Sequence, residues 1–301
     1  MPPIPLTQGG PADGGNYEYH WTGSFLEAHL LSDVGKKRKH NEDSCVLCVP
    51  EDAVLAEEGG LLFAVADGMG GAAAGEFASR RALELLLEEY YNAPAGSVPA
   101  SLREALEFAN LRIFQEAQSK PEFHGMGTTV SAVLVRGDCA YIGQVGDSRV
   151  YVVRDQAGMV QITDDHSLVA EQMRHGYLTE EEARNHSLKN LITRAIGIKE
   201  TVNVDLFAFR LEQGDTILIC SDGLSNLVTD EQIRHTLSNE NIQAAARLLV
   251  GRALNQGGTD NVTAVLLRVT EPPVKREFDP GAEEVRIPTQ GIFGKLRNLL
   301  S

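Results

Sequence analysis

FAVADGMGG, residues 63–71, climbs through apolar residues to one aspartate and then sheds its side chains. Extended back to Leu61, LLFAVAD reads as a buried strand. A carboxylate at the end of such a strand loses water and costs free energy unless something neutralises it. The glycines that follow let other groups come close to the backbone.

The arrangement recurs. Asp222, in ICSDGLSN, ends a second apolar strand and is again followed by glycine. Asp260, in GGTDNVT, immediately precedes one; Asp43, in HNEDS, precedes SCVLCV; Asp147, in QVGDSR, interrupts another. One such aspartate is a turn or a cap, but five point to a shared counter-charge. Hard divalent cations, which prefer carboxylate and carbonyl oxygens, supply it. Asp67 can then bridge two cations from a rigid strand end, with Gly68 offering its carbonyl. The sequence has no HxxH or HExxH, and histidine is scarce near these aspartates. Magnesium or manganese is therefore expected rather than zinc. Arg38 stands just before Asn41-Glu42-Asp43, in a run with Lys36, Lys37 and Lys39. A guanidinium beside a carboxylate-bound dication is a fork for phosphate oxygens. The three lysines read as a solvated loop.

The chain has 301 residues, 43% of them hydrophobic, which allows one large domain or two modest ones. Its formal charge of -15 argues against nucleic acid and anionic membranes as partners. Cys45 and Cys48 spell CVLC without a second CxxC or CxxH pair, and read as small apolar strand residues. Nothing in the four cysteines demands disulfides, so a cytoplasmic setting is expected. No apolar run approaches the ~20 residues of a membrane span, and no secretory signal is read at the start.

Residues 1–22, rich in Pro and Gly, read as a flexible leader. Residues 23–270 hold strands interleaved with helices, closer to layered α+β than to regular βαβ units. EFASRRALELLLEEYY places Ala78, Ala82, Leu85 and Leu86 on one helical face. The next helix is expected to begin at Ser101, with Glu104 completing a capping box. Its apolar face carries Leu102, Ala105, Leu106, Ala109 and Ile113. Residues 128–163 read as an antiparallel meander. Residues 166–200 read as polar and helical, with a capping box at Thr179 and Glu182. After Thr270 the composition becomes that of a linker. It leads to a short amphipathic segment with Ile292, Phe293, Leu296, Leu299 and Leu300 on one face. Docking on its own domain or on a partner is expected for that segment rather than membrane attachment.

Eight stretches now stand in order over roughly residues 27–269: SDVGKKRKHNEDS, FAVADGMGG, GMGTTVSAVLV, YIGQVGDSRVYVVR, ITDDHSLV, LITRAIG, ILICSDGLSNLV and GGTDNVTAVLL. Each alone is weak, but the ordered set is highly specific. It resembles the metal-dependent protein serine/threonine phosphatases of type 2C, in their bacterial branch. The resemblance implies a four-layer αββα sandwich, two central antiparallel sheets flanked by helices, with the metals at one end. It implies two tightly bound Mn²⁺ or Mg²⁺ ions and a possible third. Asp67 would bridge two metals, Gly68 supply a carbonyl, and Asp222 and Asp260 complete one shell. Glu42 and Asp43 would lie beside the other metal, partly through water. Asp147 matches a position used with Asp222 for a third, weaker metal. Arg38 matches the phosphate-binding arginine, and residues 164–200 the flap that contacts substrate.

The implied reaction is hydrolysis of phosphoserine and phosphothreonine proteins by activated water, in opposition to a cognate serine/threonine kinase. Two departures are visible. Met69 stands where eukaryotic members carry a histidine proposed as general acid, and Gln144 where histidine or asparagine is frequent. His166, Thr128, Thr129, Ser148, Arg149, Thr193 and Arg194 are read as structural. Two alternatives stay open: a binding module that has kept the fold without activity, and a phosphatase for phosphohistidine or a small phosphate ester. Loss of a metal aspartate would mark the first, but Asp67, Asp222 and Asp260 are all present.

Overall fold

The computed structural model describes residues 6–92, 97–154, 158–179, 182–183, 186–279 and 285–286. In chain order the strands are β1 (Leu6–Gly10), β2 (Tyr17–Thr22), β3 (Leu26–Asp33), β4 (Asp43–Val49), β5 (Leu61–Met69), β6 (Gly127–Thr128), β7 (Val130–Arg136), β8 (Cys139–Val145), β9 (Arg149–Arg154), β10 (Gly158–Gln161), β11 (Asp205–Arg210), β12 (Thr216–Cys220), β13 (Val262–Val269) and β14 (Val285–Arg286). The helices are α1 (Ala53–Gly59), α2 (Ala72–Asn92), α3 (Val98–Ser119), α4 (Leu168–Arg174), α5 (Asp222–Ser225), α6 (Asp230–Asn239) and α7 (Ile242–Asn255).

Two sheets form among these residues. One runs β1-β4-β5-β7-β8-β11-β14, with β6 paired to β5; the other runs β10-β9-β12-β13-β3-β2. The alternation within each strand decides the layering, because successive side chains point to opposite faces. In β4, Cys45 and Leu47 point between the sheets, where they meet Leu30, Val152, Ile219 and Val265. Val46 and Cys48 point the other way, into a core made with Ala78, Ala82 and Leu86 of α2 and Leu102, Leu106 and Ile113 of α3. The second sheet repeats this: Leu218, Cys220 and Leu266 pack against Ile233, Leu237, Leu249 and Ala253 of α6 and α7. Three parallel cores therefore separate four layers, and the α+β sandwich is the observed architecture. No helix among the described residues is long and apolar enough to cross a membrane.

Several expectations are corrected. The leader is folded from Leu6: β1 pairs antiparallel with β4, and β2 with β3. Tyr17, Tyr19 and Trp21 alternate along β2 and pack against the inter-sheet core, a period-two signal hidden under the Pro and Gly content around it. The helix expected from Ser101 begins at Val98. Its first turn is capped from far along the chain, with Val98 N donating to Asp279 Oδ2 at 2.9 Å. The 128–163 meander is divided, with β7 and β8 in one sheet and β9 and β10 in the other. Gly146-Asp147-Ser148 carries the chain across. Within 166–200, α4 is only seven residues long and much of the rest is turns, although Thr179 and Glu182 do exchange both capping-box hydrogen bonds. The expected linker packs on the domain as far as residue 279: Asp138 N donates to Val274 O at 2.9 Å, and Phe278 stacks on Tyr141. Val285–Arg286 adds a parallel strand to β11. The amphipathic segment with Ile292 and Leu296 lies outside the described residues.

Candidate active site

Antiparallel pairing gathers the acidic strand ends. Asp43 begins β4, Asp67 stands near the end of β5, and the register places the two directly opposite each other. Like charges at such a position repel across a few ångströms. The second sheet delivers its acids to the same end. Asp222 follows β12, Asp260 precedes β13, and these two strands pair with Cys220 opposite Ala264. Two hydroxyls tie the sheets together there: Ser221 and Thr263 both donate to Asp43 Oδ2, at 2.7 and 2.6 Å. Asp147 joins from the turn between β8 and β9.

The main chain at Asp67 is fixed independently of its carboxylate. Asp67 N donates to Thr129 Oγ1, and Asp67 O accepts from both Thr128 Oγ1 and Thr129 N, all at 2.9 Å. Thr129 in turn bonds Ser148, beside Asp147, at 2.8 Å. Gly68 N donates to Glu42 O, and a Cβ on Gly68 would overlap the Gly75 carbonyl. A Cβ on Gly75 would overlap the Glu42 carboxyl. Glycine is therefore required at position 68, where backbone closes in, while a side chain at 75 would displace the Glu42 carboxyl.

Arg38 reaches the rim of this cluster. It is half-exposed, donates from Nη2 to Asp260 Oδ2 at 2.9 Å, and lies 3.5 Å from Glu42 Oε1. Lys36, Lys37 and Lys39 are exposed, as expected of a solvated loop. All eight residues singled out in the sequence (Arg38, Glu42, Asp43, Asp67, Gly68, Asp147, Asp222 and Asp260) thus belong to one end of the sandwich. A cleft of about 760 Å³ opens beside them, lined by Asp147 and Asp222, by Val169 and Met173 of α4, and by Leu227 and Glu231.

The electrostatics are those of an anion cluster lacking enough positive charge. Burial, then the charges of Asp43, Asp222, Asp147 and Asp260, hold Asp67 well above the usual carboxylate range. Burial pushes Asp43 up to about 7 despite its two hydroxyl donors. Burial and the neighbouring Asp222 push Asp147 up to about 8. Burial and Asp260 push Asp222 up to about 6. Asp147 Oδ1 is buried without a hydrogen-bond partner among the described residues, a costly state for a carboxylate oxygen. Oxygen-only donors, an orphaned buried oxygen and glycine clearances fit hard divalent cations. No three His, Cys, Asp or Glu side chains among the described residues close into a ready-made cage, so carbonyls and water would have to complete each shell.

Sequence reasoning missed the residues that brace this cluster. Asn261 Oδ1 accepts from Glu42 N at 2.9 Å, while its Nδ2 donates to Val34 O and His40 O. The only local signal for it is its place after Asp260, in the DN pair before β13. Ser221 and Thr263 carry no local signal, being 178 and 220 residues from Asp43. His166 accepts from Gly146 N at 3.0 Å and meets Arg194 and Asp205; Arg149 holds Asp165 with two nitrogens. Gln144 bonds Ser131 and the Gly146 and Ser148 carbonyls.

Residues 35–255 match the family model described as protein phosphatase 2C. The chain belongs to the protein phosphatase 2C family. It is a phosphoprotein phosphatase by that membership. A serine/threonine phosphatase of Listeria monocytogenes is 35% identical to it over 247 residues, spanning 80% of this chain and 95% of that protein. The crystal structure of the serine/threonine phosphatase Stp1 from Staphylococcus aureus superposes with a TM-score of 0.75 at 33% identity, covering 83% of this chain and 97% of the other. The catalytic domain of the phosphatase PstP, solved in complex with 2 manganese ions, gives 0.70 at 37% identity, covering 82% and 99%. The 2C-type phosphatase fold and the acidic end of the sandwich thus coincide in this chain.

Proposed function

We propose that this phosphatase removes phosphate from phosphoserine and phosphothreonine of proteins, with two Mn²⁺ or Mg²⁺ ions held by its acidic end and a third held more weakly. The observation that carries the metal part is the Asp43–Asp67 pair: two carboxylates set opposite each other by strand register, with Asp222, Asp147 and Asp260 adding to the negative charge on Asp67. The two manganese ions of the related PstP domain support the same reading. Asp67 would lie between the tight pair, and Gly68 would offer its carbonyl. Asp222 and Asp260 would hold one ion, while Glu42 and Asp43 would hold the other, partly through water. Asp147 and Asp222 would hold the weaker third. Bound there, such ions lower the pKa of water and offset charge on a phosphoryl group.

The chain's own residues do the rest. Asn261, Ser221 and Thr263 fix the directions in which Glu42 and Asp43 present their oxygens. Arg38 offers a planar fork of donors at the exposed rim, where phosphoryl oxygens approach. No cysteine is poised as a nucleophile: all four are buried and free, and burial pushes the Cys48 and Cys139 thiols up to about 11. Free cysteines also fit work in the cytoplasm, opposite a serine/threonine kinase whose products are the substrates. A panel of Mn²⁺-supported assays tests the substrate class. The value of kcat/KM for phosphothreonine and phosphoserine peptides should exceed that for phosphotyrosine and phosphohistidine peptides by at least about tenfold, a transition-state difference of roughly 1.4 kcal/mol. The reverse order would overturn the assignment.

A further inference from the structure

We propose that Asn16 is a positioning residue for Arg38, acting through a clip that the N-terminal segment Gly14–Asn16 places on the arginine's loop. The inference rests on the reading of Arg38 as the phosphate ligand. That loop joins β3 to β4, and its ends are Val34 and Asn41. Both ends are bonded to the clip. Val34 N donates to Asn16 Oδ1 at 2.9 Å, and Asn41 N donates to Gly14 O at 2.7 Å. Asn41 Nδ2 adds a bond to Gly15 O at 3.0 Å, and Asn16 Nδ2 donates to Asp33 Oδ2 at 3.0 Å. From the opposite side Asn261 Nδ2 holds Val34 O and His40 O, and Lys36 N donates to Gly258 O at 2.8 Å. The loop is gripped between two sets of hydrogen bonds, and Arg38 projects from its middle.

Why the loop needs gripping follows from its sequence. Lys36, Lys37, Arg38 and Lys39 put four consecutive positive charges on exposed backbone. They repel one another, and the unclipped loop would spread toward solvent, away from Asp260 and Glu42. The clip is itself rigidly mounted. Residues 11–16 cross from β1 in one sheet to β2 in the other, with Gly10 paired to Cys45 and Tyr17 to Ser32. Two antiparallel pairings therefore hold its ends at the acidic end of the sandwich. The family match covers residues 35–255, and Gly14–Asn16 lie outside that span. Placing a phosphate donor correctly before binding changes the affinity for phosphate more than the chemical step.

The test is a double-mutant cycle read by KM for a phosphothreonine peptide and by the inhibition constant of inorganic phosphate. Asn16→Ala should raise both by roughly three- to tenfold, the loss expected for one or two exposed hydrogen bonds, with kcat within about twofold and little change in Tm. Asn16→Asp keeps an acceptor for Val34 N but sets a carboxylate against Asp33, and should not restore affinity. In an Arg38→Ala background, Asn16→Ala should change neither constant by more than about twofold, because residues acting as one unit are not additive. Unchanged constants in Asn16→Ala, or a full effect repeated without Arg38, would overturn the proposal. If Arg38→Ala itself leaves phosphate inhibition unchanged while Asn16→Ala weakens it, the reading of Arg38 fails instead, and the clip with it.

Discussion

Asp67→Asn lowers kcat on a phosphothreonine peptide by at least about 10³-fold, the scale on which a central electrostatic group contributes to turnover. The fold survives the change. Asp67 is held through its backbone by Thr128 and Thr129, and asparagine keeps the side chain's volume. In protein stripped of metal, thermal stability should hold or rise, because the substitution removes one carboxylate from a mutually repelling set. Calorimetry should show that tight Mn²⁺ binding is lost. Asp147→Ala gives a contrast: activity falls, yet the two tight ions stay bound. Activity of Asp67→Asn within tenfold of the parent would contradict the arrangement proposed here, as would loss of the tight ions from Asp147→Ala.

The stability of the metal-stripped chain falls as pH rises, and Mn²⁺ reverses that slope. Asp43 and Asp147 are pushed up to about 7 and about 8 from an ordinary 3.8. A carboxyl whose folded pKa lies above its unfolded one holds a proton in the folded chain that the unfolded chain has released. Folding is then favoured at low pH, and that contribution is lost as pH climbs from about 4 through the folded values. Between pH 5.5 and 8 the stripped protein should lose about 5 °C or more in Tm, on the basis that 1 kcal/mol moves a domain of this size by roughly 2–4 °C. Cations bind the deprotonated acids, so their affinity grows with pH. With saturating Mn²⁺, Tm should be at least as high at pH 8 as at pH 5.5. Thermal scans at both pH values, with and without the metal, decide this. Parallel slopes would show that the acids do not share a cation site.

What was legible in the sequence was whatever is local. The face of α2 with Ala78, Ala82 and Leu86, and the β5 strand ending near Asp67, follow from spacing alone, and both are in the core as read. The five aspartates are legible because each ends, precedes or interrupts an apolar run. What was not legible depends on partners far along the chain. Residues 6–22 looked like a leader because Pro and Gly outweighed the alternation of Tyr17, Tyr19 and Trp21, and because edge strands gain their hydrogen bonds from neighbours the local sequence does not name. The start of α3 was misplaced because its cap is Asp279, 181 residues from Val98. Asn261 escaped notice because its importance lies in three carbonyl and amide groups of another loop.

The most direct test strips the protein with EDTA, confirms that residual metal is well below the protein concentration, and follows phosphothreonine-peptide hydrolysis as Mn²⁺ or Mg²⁺ is returned. The stripped protein should show no turnover and saturable recovery with either ion, accompanied by at least two calorimetrically tight Mn²⁺ sites per chain. Undiminished turnover without metal would contradict it, as would silence at every metal concentration in a folded chain that still binds the ions.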